Sequence, residues 1–150
     1  MSKIDEAMDI MNNMDEKGLR NLFSECFDRI LESMILFSGD SKRSMDDIMM
    51  LIYRVIAFDN KIVKEEYELI LSILDRTDLK DHSYRAVKEL IGRKGHPNNH
   101  LDSIRGYYND VVRNCPDVEV DLLCMMLAVL SVDGGISRKE RKKLDRILDE

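Results

Sequence analysis

The sequence predicts an all-α fold, a bundle of about seven to eight helices. Three observations lead there. Apolar residues recur at three- and four-residue steps along most of the 150 residues, the period of a helix face. No segment alternates apolar and polar residues between hairpin turns, as a half-buried strand would. The only prolines, Pro97 and Pro116, fall between the periodic stretches, where a helix has to stop.

Each element follows from its own pattern. Ile4, Met8 and Met11 mark a short amphipathic helix within residues 1–14, ahead of a single helical domain over residues 15–150. Leu19, Leu22, Phe23, Cys26, Ile30 and Met34 form the stripe of a long helix over 16–37. A third helix begins at Ser44 or Met45 and runs through IMMLIYRVIAF to Asp59. The next covers Lys64 to Arg76, with Tyr67, Ile70, Leu71 and Leu74 on one face. Weaker patterns predict helices over about 82–93 and 99–113. The run LLCMMLAVLSV at 122–132 lies in a helix over 117–132. It reads as a buried central helix, about half the length of a membrane span. A last helix covers 137–149.

Two of these segments repeat. Displacing the chain by 74 residues pairs 47–75 with 121–149 without a gap, and the identical positions include Asp47/Asp121, Val55/Val129, Asp59/Asp133, Ile62/Ile136, Glu66/Glu140, Leu74/Leu148 and Asp75/Asp149. Roughly two identities would arise by chance in such compositions, so the match marks an internal repeat. Each copy is an apolar helix, a short loop opened by Asp, an isoleucine plug, and an amphipathic helix with Glu in its first turn. Two pseudo-repeated helical hairpins are expected, packed with approximate two-fold symmetry, with Ile62 and Ile136 buried beneath their loops.

The paired loops, Asp59-Asn-Lys-Ile62 with Glu66 and Asp133-Gly-Gly-Ile136 with Glu140, resemble the DG-x-I-x-x-x-E signature of the tellurite-resistance TerB family. The resemblance covers about residues 20–150. It implies an all-helical fold with internal pseudo-symmetry, and acidic residues linked to divalent-cation binding and bacterial stress responses. The candidate metal residues on that view are Asp133, Glu140, Asp59 and Glu66. The first loop has Asn60 and Lys61 where glycines follow the Asp in the second, and the lysine puts a positive charge where a cation would sit.

Local physics offers other tasks for the same residues. Ser137 and Glu140 have capping-box spacing, and Gly134 and Gly135 suit the end of the preceding helix. Asp59 and Asp133 fall at predicted helix C-termini, where the macrodipole disfavours a carboxylate. An Asx-type bond to the loop N–H groups, or a cation, would compensate them. Hard oxygen ligands favour Ca²⁺ or Mg²⁺, and so few carboxylates suggest weak binding. The alternative is an interaction module in which the acids shape the hairpins and an acidic face or the N-terminal helix docks a protein partner.

Other signals are structural. His96 and His100 are spaced as H-x-x-x-H with Pro97 between them, which suits a turn. The basic RKERKKLDR segment at 138–146 is interleaved with acids, as on a solvated helix face. Met49, Met50, Met125 and Met126 fall at apolar stripe positions and belong to core packing. No Ser/His/Asp or Cys/His arrangement, phosphate loop or HExxH helix is present, so a non-enzymatic protein is expected. The net charge of −6 disfavours a nucleic-acid partner. Three cysteines at unrelated spacings, with no apolar leader and no membrane span, point to a reducing cytoplasm.

Overall fold

The helix starts at Glu16, Ser41 and Tyr84 are set by short polar side chains that satisfy the first free backbone N–H groups. The computed structural model describes residues 3–11, 13–57, 63–95, 100–132 and 135–148. Among them lie eight α-helices: α1 (Lys3–Met11), α2 (Glu16–Ser38), α3 (Ser41–Ile56), α4 (Lys64–Leu74), α5 (Tyr84–Lys94), α6 (His100–Asn114), α7 (Glu119–Ser131) and α8 (Arg138–Leu148). Asp15 caps α2 by accepting the Gly18 N–H at 2.8 Å. Gly39, in the left-handed conformation at φ 72°, ends α2 and donates to the Ile35 carbonyl. Asp40 then caps α3 through the Arg43 N–H at 3.0 Å. This cap moves the start of α3 to Ser41, ahead of the expected Ser44 or Met45. Ser83 caps α5 through the Ala86 N–H, and a single 3-10 turn, Pro116–Val118, leads into α7.

The core is organised by α7, whose residues from Leu122 to Leu130 are all buried. It packs on α1, α2 and α3. Such a helix, apolar all round, is stable only inside a protein or a membrane. Among the described residues no helix is long and apolar enough to cross a membrane. α2 supplies Leu19, Phe23, Cys26, Phe27, Ile30 and Met34 to the same core, while α1 supplies Ile4, Ala7 and Met11. Met8, expected on the α1 stripe, is 36% exposed and Ala7 takes its place. Leu71, expected on the buried face of α4, is also exposed, because α4 lies on both α2 and α5 and buries Leu69, Ile70, Ile73 and Leu74. Cys26, Cys115 and Cys124 are all buried free thiols.

The two repeated hairpins are α3–α4 and α7–α8, and the 74-residue offset carries α4 onto α8 end to end. Both hairpins are open. α4 packs on α2 and α5, and α8 on α6. The repeat also extends beyond the hairpins, since exchanging α1–α4 with α5–α8 maps the helix packing onto itself. α2 lies on α3 and α4 as α6 lies on α7 and α8; α2 meets α7 as α6 meets α3; α1 meets α7 as α5 meets α3. The pairs α3–α7 and α2–α6 map onto themselves. α4 meets α5 through Tyr67, whose ring stands edge-on to Tyr84 with centroids 5.3 Å apart. Arg141, at the equivalent position on α8, reaches Asp5 of α1 at 3.3 Å. The molecule is therefore two interleaved four-helix units.

Candidate functional site

Each acidic loop is described in part. Asp59, Asn60, Lys61 and Ile62 of the first loop, and Asp133 and Gly134 of the second, lie outside the described residues. At the second loop, Ser137 Oγ accepts the Glu140 N–H at 3.1 Å and Glu140 Oε1 accepts the Ser137 N–H at 2.9 Å. This is the reciprocal capping box its spacing predicts. A valine at the cap of the first loop suggests another task for Glu66, since Val63 has no side-chain acceptor. Instead, Glu66 Oε1 accepts the Val63 N–H at 3.0 Å, making the carboxylate half of the box. Glu66 is only 5% exposed. Gly135 takes φ 122°, a value that favours glycine. Ile136, expected to be fully buried, packs half-buried against the core. Its side chain lies beside an open hollow lined by Met8, Met11, Leu19 and Val132, so the loop leaves it partly uncovered.

These bonds bear on cation binding. Each glutamate that a loop cation would use already serves as a helix cap. Among the described residues, no three His, Cys, Asp or Glu side chains converge as ligands. His82 is engaged locally, with Nε2 2.6 Å from the Leu79 carbonyl and Nδ1 3.3 Å from Asp75. His96 lies outside the described residues.

The larger concave surface lies elsewhere, between α2, α3, α5 and the segment that follows α4. It is a groove of about 790 Å³. Leu31 and Ile35 form one wall, Met45, Met49, Met50 and Tyr53 the floor, and Leu79 and Leu90 the other wall. Met49, Tyr53 and Leu90 are buried, whereas Leu31, Ile35, Met45, Met50 and Leu79 are half-exposed along the opening. Met50 is therefore a groove residue and not only a core one. Burial, with a contribution from Asp46, raises the Tyr53 pKa above the ordinary phenol value, so its hydroxyl stays protonated.

The rim is cationic. Lys42, Arg76, Arg93 and Lys94 stand around the opening, with Asp46 and Asp78 as the acids between them. Arg76 pairs with Asp28 and lies over the Phe27 ring. Lys42, Arg93 and Lys94 are exposed and form no ion pair among the described residues. Between Ile35 and Ser41, both groove residues, the end of α2 presents Leu36 and Phe37 to solvent at 79% and 61% exposure. Large apolar side chains grouped beside a groove mark interaction surfaces more often than scattered ones do.

The arrangement suits binding: a methionine-rich floor of adaptable side chains, apolar walls and exposed cations. The sequence carries the groove residues in plain sight, but as stripe positions indistinguishable from core. Their only distinguishing signal is the apolar pair Leu36-Phe37 continuing past the α2 stripe up to Gly39. Comparison with protein-family models, with curated proteins and with solved structures gives no match.

Proposed function

We propose that this chain is a non-enzymatic, TerB-like helical interaction module of the cytoplasm, whose docking surface is the groove between α2, α3 and α5. The observation that carries this reading is the partly exposed apolar lining of the groove, together with the exposed Leu36 and Phe37 at the end of α2 beside it. Leaving such side chains in water forgoes about 1.5–3 kcal/mol each, which covering them would recover. The paired-loop resemblance supports the family reading, and the capping bonds of Glu66 and Glu140 favour a structural task for the loops over cation binding.

A photo-crosslinking amino acid at Phe37 tests the reading in the cells that express the protein. A discrete adduct at Phe37, lost when Met45→Glu is added and absent from a probe at the exposed Lys139 on α8, is the expected result. The same faint smear from both positions would remove the groove as a docking surface. Saturable amide shifts over residues 135–140 on adding Ca²⁺ or Mg²⁺ would instead favour the loops as the working site.

A further inference from the structure

We infer that the groove receives a short acidic amphipathic helix from a partner protein, seated on α3 much as α1 is seated on α7. The inference rests on the groove being a docking surface, and deepens it by naming the occupant.

The first support is the broken symmetry of the bundle. Under the exchange of the two four-helix units, α1 corresponds to α5 and α7 to α3. α1 runs the whole length of its neighbour. Lys3 bonds Glu119 at the first residue of α7, and Met11 lies beside Val132 just past its end. α5 does less. It approaches α3 closely at its C-terminal end, where Gly95 sits against Tyr53 and Ala57. Its other end turns toward α4, where Tyr84 meets Tyr67. Met45 and Met50 on α3 are left half-exposed, and the groove is the space so opened. Met50, half-exposed in the groove, corresponds to Cys124, which is buried in α7. A surface whose equivalent is covered by a helix has the width and direction to take one.

The second support is charge. The chain carries −6 overall, yet the rim holds four cations and two acids, and three of the cations form no ion pair among the described residues. A ligand with acids flanking its apolar stripe would meet Lys42, Arg93 and Lys94, whereas a basic one would be repelled. α1 shows the matching pattern within this chain. Ile4, Ala7 and Met11 face inward while Asp5, Glu6 and Asp9 lie outside that stripe.

The test is a titration of methyl-labelled full-length protein with a capped synthetic peptide of residues 3–14. A second peptide carries Asp5→Lys, Glu6→Lys and Asp9→Lys. The first peptide should shift the methyls of Met45, Met49 and Met50 saturably, with half-saturation at or below about 1 mM. The charge-reversed peptide should bind at least tenfold more weakly, and the variant R93E/K94E should reverse that preference. Three results would overturn the inference: no saturable shift at those methyls, equal binding of the two peptides, or the same shifts appearing on raising the protein concentration alone. The last would make a second copy of the chain the occupant. A crosslink at Phe37 alongside a silent titration would leave the docking surface standing and remove only the acidic helix.

Discussion

At the scale of single residues, the repeated glutamates have the same local task in two settings. Glu66 is buried and holds one backbone N–H, while Glu140 is partly exposed and shares a reciprocal box with Ser137. Removing a buried acceptor strands its donor, at a cost of about 1–3 kcal/mol. Loss of a serine cap costs about 1 kcal/mol. Glu66→Ala should therefore lower denaturant stability more than Ser137→Ala, and equal losses would count against the capping reading. Glu119 gives a pH prediction. Burial works against its carboxylate, but the bonds from Lys3 at 2.9 Å and Tyr108 at 2.8 Å outweigh it and hold its pKa below the ordinary 4.5. A group depressed on folding stabilises the protein above its unfolded pKa, and that stability is lost as pH falls through the folded value. Glu119→Gln should thus melt earlier at neutral pH and show a shallower loss of melting temperature below about pH 4.5. An unchanged acid limb would show that the three-residue contact contributes nothing on folding.

At the scale of elements, the contact between α5 and α3 decides where the groove opens, and it turns on Gly95. A Cβ there would lie 2.6 Å from the Ile91 carbonyl, 2.7 Å from Ala57 Cβ and 2.9 Å from the Tyr53 carbonyl. Two of these neighbours are backbone and cannot step aside. Gly95→Ala should cost about 1–3 kcal/mol, the range for overpacking. Gly106, inside α6 with nothing within 4 Å of its added Cβ, should respond oppositely and gain about 0.5–1 kcal/mol as alanine. Paired chemical denaturation of the two variants checks both signs at once. Every predicted helix exists, because stripes such as Leu19 to Met34 repeat for several turns and leave no other period open. Boundaries were legible only where apolar residues mark them. The start of α3 was not, since Ser41, Lys42 and Arg43 show no apolar phase and only Asp40 announces the helix. Leu71 and Met8 miss for a related reason: a stripe gives the centre of a buried face, and its edges depend on which helices lean on it.

At the scale of the whole molecule, the 74-residue repeat was legible for α3–α4 and α7–α8 but not for the helices before them. α1 and α2 differ from α5 and α6 in length and spacing, so no ungapped alignment joins them, and only the packing reveals the correspondence. The groove was hidden for the same reason, because it arises from α5 splaying off α3. The same packing makes a prediction about folding. The most extensive contacts cross between the units: α2 and α1 lie on α7, and α3 lies on α5, α6 and α7. Each unit alone would expose the face the other covers, including the all-apolar α7, and a chain of half this length has little burial to spare against its conformational entropy. Cutting the chain in the connection between α4 and α5 should therefore give fragments 1–80 and 81–150 that are each largely unfolded by far-UV circular dichroism. Mixed in equal amounts, they should recover the helical spectrum and a cooperative melt. If fragment 1–80 melts cooperatively by itself, the units are independent domains and the interleaved reading fails.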